Sequence, residues 1–190
     1  MKQITVENRL EEDHRSLGDL IAQLCAALDE RDVERSFERL DAVWARLAVH
    51  IRAEHLCLFP AILDAASKAS ASEDGGAQLE DTRTTINQLR RDHDFFMTEL
   101  ARVVKAIREI RGSQNPLMSG EQLRQVQQAV VAIKARLEEH NRVEEEQVYR
   151  WPAAFLSSSG RSELGECVRH ELDNMPPRFA NLRAQDDVAR

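Results

Sequence analysis

The sequence predicts an all-α fold, an antiparallel up-down-up-down four-helix bundle with a short C-terminal extension, and three observations carry that expectation. Only 7 Gly and 5 Pro occur in 190 residues, well below the roughly 12% average usage of the pair. An all-β sandwich, which needs turn residues at short regular intervals, is therefore excluded. The few breakers are clustered, so long uninterrupted segments lie between them. Each of four such segments carries apolar residues at alternating spacings of three and four, the stripe of a helix packed in a bundle. A hydrophobic content of 42% beside 31% charged residues fills one core and excludes wholesale disorder.

The first stripe is Leu10, His14, Leu17, Ile21, Leu24 and Leu28, with Gly18 off it at a cost of about 1 kcal/mol in propensity. After the polar break Asp29 to Asp32, the second reads Phe37, Leu40, Trp44, Leu47, Ile51, Glu54 and Leu58 with His50 adjoining, and Pro60 should kink or end that helix. Residues 67–78, small, polar and Gly-containing, form the expected linker between halves. The third stripe is Ile86, Leu89, His93, Phe96, Leu100, Val103, Ile107 and Ile110. A loop over 112–120 follows, with Ser119 and Gln122 as a capping box for the fourth helix, whose stripe is Val126, Val130, Ile133, Leu137, His140, Glu144 and Val148. The expected division is a bundle over 1–160 and a C-terminal helix and tail over 161–190, the helix at 161–175 and the end fraying. Short connections within each half favour antiparallel neighbours.

A net charge of −7, from 26 basic and 33 acidic residues, argues against a nucleic-acid partner, which needs a concentrated basic patch. Arg102, Lys105, Arg108 and Arg111 are interleaved with Glu99 and Glu109 and read as a solvated face. The N-terminus has no apolar h-region and no run is long enough for a membrane span, so the expectation is a cytoplasmic protein with no membrane partner. Cys25, Cys57 and Cys167 match no zinc or redox spacing, and reduced, mostly buried thiols are expected.

The chemistry lies in an internal repeat of about 90 residues. His50-Ile-Arg-Ala-Glu54, followed by Leu58-Phe59-Pro60, corresponds to His140-Asn-Arg-Val-Glu144, followed by Tyr149-Arg-Trp-Pro152, and each is preceded in its half by Asp13-His14 or Asp92-His93. A spacing of four places histidine and carboxylate on one helix face, one turn apart. Four imidazoles and two carboxylates thus converge on the bundle axis, where polar groups left unpaired would cost several kcal/mol. A bound cation relieves that cost. His55 and His170 fall outside the pattern, His55 pointing about 100° away from Glu54. Cys57 reads as a packed core thiol, with a redox partner of the site as the alternative, and Tyr149 with Trp151 as the cap of the bundle, with a Tyr that donates an electron or a hydrogen bond to the centre as the alternative.

Imidazoles mixed with carboxylates, without thiolate, suit iron or manganese better than a closed structural zinc site. Six side chains exceed one tetrahedral ion, and two metals bridged by Glu54 and Glu144 fit, with His14, His50, His93 and His140 as terminal ligands. Spacing alone does not divide the histidines between the ions. Ferritin-like di-iron bundles instead use Glu-x-x-His on two helices; Glu11 and His14 form one such pair, which helices 2 and 4 do not match.

The order His14, His50-x-x-x-Glu54, His93, His140-x-x-x-Glu144, with Leu-Phe-Pro after the first pair, resembles the hemerythrin-like HHE cation-binding domain over about residues 8–156. The resemblance implies a four-helix bundle with an oxo- or hydroxo-bridged pair of irons, manganese or zinc being possible substitutes, held by those six residues. It implies binding of O2, NO or peroxide in sensing, detoxification or iron homeostasis. A di-iron oxidase, peroxidase or iron-donating repair enzyme is the alternative, and a metal-free helical interaction module the third reading. In one respect the chain departs from the oxygen carriers: where they place a second histidine one turn after the third-helix ligand, this chain has Met97. Four histidines in place of five leave an additional coordination position, which moves the expectation from reversible oxygen carriage towards a reactive or sensing site.

Overall fold

A computed structural model describes residues 5–70, 75–113 and 116–179. Every regular element among them is helical: α1 (Val6–Asp29), α2 (Val33–Ala53), a π-turn (Glu54–Leu58), α3 (Phe59–Ala69), α4 (Gly75–Gly112), α5 (Pro116–Glu146), a 3-10 turn (Val148–Arg150), α6 (Trp151–Phe155) and α7 (Ser158–Asp173). A last 3-10 turn spans Pro177–Phe179. Thr5 caps α1 by accepting from the Asn8 N–H at 3.3 Å, and Asp32 caps α2 by accepting from Arg35 at 3.0 Å, each satisfying a donor the helix start leaves open. Between them the chain reverses through Arg31 at φ 59°.

The helices α1, α2, α4 and α5 pack as a closed ring, α1 on α2, α2 on α4, α4 on α5 and α5 on α1. Cross-contacts give the directions. Arg111 near the end of α4 pairs with Glu34 at the start of α2 at 2.6 Å, and Gln127 in the first half of α5 donates to the Leu28 carbonyl near the end of α1 at 3.0 Å. Both pairs of helices run antiparallel.

Two apolar clusters fill the ring. One contains Leu17, Leu47, Phe96 and Leu137; the other contains Leu10, Ala53, Leu58, Leu89 and Val148. The layer between them holds His14, His50, Glu54, His93, His140 and Glu144, all buried. The apolar stripes therefore set the height of every polar group in the layer.

Several expectations are corrected. Pro60 does not end the second helix, which continues as α3 to Ala69. Because proline has no N–H to give the carbonyl four residues back, the ladder needs a local adjustment, and the π-turn just ahead supplies it: the Phe59 N–H bonds back to the Glu54 carbonyl. Helix therefore takes residues 67–69 and 75–78 of the expected linker, and residues 71–74 lie outside the described ones. The fourth long helix opens at Pro116, a residue favoured in a first turn, so Ser119 falls inside the helix and past the expected cap position. On α2 the buried line runs through Leu40, Val43, Leu47 and His50, leaving Phe37, Trp44 and Ile51 at its margin. The C-terminal helix starts at Ser158, capped by Ser157, and buries Leu164, Val168 and Leu172; the expected fraying end from 180 onward lies outside the described residues.

The cysteines are the largest correction. Cys57 and Cys167 form a disulfide, Cα to Cα 5.9 Å, and only Cys25 is free. A sequence separation of 110 hides the pair from any motif reading. The bond ties α7 to the π-turn.

Candidate metal centre

In the central layer the imidazoles meet in two pairs. His14 Nε2 lies 3.1 Å from His50 Nε2, and His93 Nε2 lies 3.0 Å from His140 Nε2. The carboxylates span both pairs. Glu54 places Oε1 3.5 Å from His50 Nε2 and Oε2 3.3 Å from His93 Nε2, while Glu144 places Oε2 3.3 Å from His14 Nε2 and Oε1 3.0 Å from His140 Nε2. The structure thus brings together all six side chains singled out in the sequence, and divides the histidines as His14 with His50 and His93 with His140. The donor atoms of His14, His50 and Glu144 all lie within 4.8 Å of one another, as do those of His93, His140 and Glu144. Glu11, the other half of the Glu-x-x-His pair, is not in either group.

Behind the rings of His14 and His50, Nδ1 is hydrogen-bonded to a carboxylate that fixes the orientation, while His140 Nδ1 only approaches one and makes no hydrogen bond. His50 Nδ1 donates to Asp13 Oδ2 at 2.9 Å, His14 Nδ1 donates to Glu145 Oε1 at 2.8 Å, and His140 Nδ1 faces Asp92 Oδ2 at 3.5 Å. When His14 and His50 are neutral with the proton on Nδ1, their Nε2 lone pairs point into the layer, the arrangement by which carboxylates prepare histidines for metal. Asp13 is in turn held by Arg46 at 2.5 Å and Asp92 by Arg136 at 2.5 Å. The internal repeat therefore reaches further than the ligands: Ala-Arg-Leu precedes each helix-2 and helix-4 histidine, at 45–47 and 135–137. Those arginines were legible as a repeat, although only the fold shows what they hold.

His93 differs. Its Nδ1 meets His55 Nε2 at 2.9 Å. The expectation that His55 stands apart fails because it lies in the π-turn, whose wider winding departs from the 100° step of an α-helix. His55 supports a ring and does not enter the six-donor cluster.

For Tyr149 the structure favours the alternative, a hydrogen-bond donor in the layer, over a cap of the bundle. As the fifth residue after Glu144 in an unbroken α-helix it would sit about 140° round from that side chain. The helix breaks at Gln147, with φ −123° and ψ −63°, and the 3-10 turn buries Tyr149 completely. Its hydroxyl lies inside the layer, donating to Glu54 Oε1 at 2.8 Å. Trp151 remains peripheral, stacked on Phe155 with centroids 6.2 Å apart.

Electrostatics couple these groups. Burial alone would lower the imidazole of His50, but Glu54 and Asp13 outweigh it and raise it well above the ordinary value. Against the same burial penalty, Glu144 and Glu145 raise His14, and Glu144 raises His140. Burial would raise Glu54, yet His50 and His93 hold it well below the usual carboxylate range. Glu144 is lowered too, His140 and His14 overcoming burial and the repulsion of Glu54. These carboxylates are held as anions although both are fully buried.

The donor set fits metal. Two nitrogens each about 2.1 Å from one ion and at right angles about it lie about 3.0 Å apart, the separation found in both pairs. Glu54 Oε2 and Glu144 Oε1 are buried without a hydrogen bond, the type of orphan a cation satisfies. Nitrogen and carboxylate donors without thiolate are the set for iron or manganese.

An all-helical bundle carrying two imidazole pairs beneath two shared carboxylates defines a class, the helical cation-binding proteins whose site lies within the bundle. The family model of the hemerythrin HHE cation binding domain matches residues 5–152, and the chain belongs to that family. No curated protein and no solved structure matches it.

Proposed function

We propose that this chain is a non-haem di-iron protein that binds O2, NO or peroxide in sensing, detoxification or iron homeostasis. The observation that carries the reading is the pair of carboxylates, each offering one oxygen to each imidazole pair. One iron would be held by His14 and His50, the other by His93 and His140, with Glu54 and Glu144 bridging. Bound iron supplies one-electron redox chemistry and a point of attachment for a small ligand. The chain's own part is to aim four Nε2 lone pairs, to hold two carboxylates ionised, and to keep bulk water out by the apolar clusters above and below. The same reading takes the ring of α1, α2, α4 and α5 as an up-down-up-down bundle.

The position that carries a further histidine in oxygen carriers is Met97, half-buried against the core. This supports a centre with an exchangeable position over closed reversible carriage. No helix among the described residues is long and apolar enough to cross a membrane. A cytoplasmic setting is part of the proposal.

Metal analysis and the visible spectrum of aerobically purified protein test the reading. Iron near two per chain with oxo-bridge charge-transfer bands is the expected result. Iron-loaded protein that keeps two metals after both His140→Ala and Glu144→Ala would contradict the ligand assignment.

A further inference from the structure

The two halves of the layer are not equivalent, and the difference is one atom. The Tyr149 hydroxyl lies 3.0 Å from His14 Nε2, 3.4 Å from His50 Nε2, 2.8 Å from Glu54 Oε1 and 3.4 Å from Glu144 Oε2. Those are the four donor atoms of the His14/His50 half, and the phenol oxygen stands against every one of them. Its hydrogen-bond partners include no donor atom of the His93/His140 half. There the corresponding carboxylate oxygens, Glu54 Oε2 and Glu144 Oε1, are the buried atoms left without a hydrogen bond.

We propose that Tyr149 is a fifth side-chain ligand to the metal held by His14 and His50, and that the metal held by His93 and His140 is the one that takes the small external ligand. The inference rests on the di-iron reading above. The oxygen is already within the donor shell, so coordination needs only a small shift of a rigid ring. The phenol O–H bond is replaced by an O–iron bond, and the proton passes to solvent. Phenolate is a hard, anionic donor suited to ferric iron, and it adds a negative charge to one half of the site only. Met97, standing where carriers supply a further histidine, leaves the other half with two nitrogens and two carboxylate oxygens.

The fold makes this placement specific. Tyr149 reaches the layer only because the chain abandons α-helical winding at Gln147. The Tyr149 ring lies against that of His14, centroids 5.4 Å apart and tilted by 31°, so the ring as well as its oxygen is packed in place.

The test loads the purified full chain with ferrous iron without air, oxidises it, and records iron content, the visible spectrum and resonance Raman spectra for the wild type and Tyr149→Phe. The expected wild type shows a tyrosinate-to-ferric charge-transfer band with enhanced phenolate ring modes, and Tyr149→Phe loses both. Azide added to the wild type should bind and leave the tyrosinate modes in place. A wild type that holds two irons without tyrosinate modes overturns the inference while sparing the di-iron reading, and assigns Tyr149 a hydrogen-bonding role only. Loss of the tyrosinate modes on azide binding overturns the assignment of the open half. A wild type that retains no iron overturns the underlying reading itself, and the two failures are told apart by metal content.

Discussion

Asp13 touches no metal donor position, yet it orients His50 and neutralises Arg46, both buried with it. Asp13→Asn should therefore weaken iron binding by about 10–100-fold, read by competition with a chromophoric chelator. Asp13→Ala adds instability of about 3–5 kcal/mol by leaving Arg46 buried and uncompensated, read as a lowered denaturation midpoint. The pH dependence follows from the same groups. In metal-free protein the raised imidazoles of His14, His50 and His140 stabilise fully below their unfolded value near ~6.5, and that contribution disappears as pH rises through their folded values. Lowered Glu54 and Glu144 stabilise above their unfolded value near ~4.3 and lose that contribution as pH falls through the folded ones. Metal-free protein should thus be most stable between about pH 4.5 and 6.5 and weaken above it. Metal reverses the slope, because ligation requires neutral imidazoles. Iron affinity should fall with acidification, starting above the ordinary imidazole range. Thermal unfolding across pH with and without metal reads both trends, and parallel slopes would contradict them.

At the scale of elements, the π-turn and the broken end of α5 decide what the long helices cannot. The π-turn carries Glu54 into the layer, turns His55 onto His93, and holds Cys57 against α7. Cys167→Ala should cost about 2–5 kcal/mol, as expected for a cross-link closing a long loop, equivalent to about 2–4 °C in Tm for each kcal/mol. A reducing agent should lower the wild type to the variant's Tm and leave the variant unmoved. These elements also mark what the sequence makes legible. Spacings of three and four located Leu10, Leu17, Leu89 and Phe96 about their histidines, and spacings of four placed His50 over Glu54 and His140 over Glu144. Such signals are local and periodic. The position of Tyr149 depends on a helix that ends at Glu146, shortly before it, and the disulfide joins residues 110 apart; neither leaves a periodic trace. The Arg46 and Arg136 repeat was visible, but its partners, Asp13 and Asp92, lie on other helices.

On the scale of the whole molecule, a polar layer buried between two apolar clusters couples metal content to folding. An ion that binds only the folded chain stabilises it by about 2.7 kcal/mol when free metal exceeds Kd a hundredfold. Chelation should therefore lower Tm by several degrees, and readdition of iron should restore it. An unchanged Tm would favour a bundle whose histidines hold no metal. The net charge of −7 bears on solubility and leaves this coupling untouched. The most direct measurement is iron per chain, taken after anaerobic loading and exhaustive dialysis, for the wild type and Glu144→Ala side by side. A site in which both halves share Glu144 predicts two irons in the wild type and fewer in the variant. Two irons retained in both, or none in either, would contradict it.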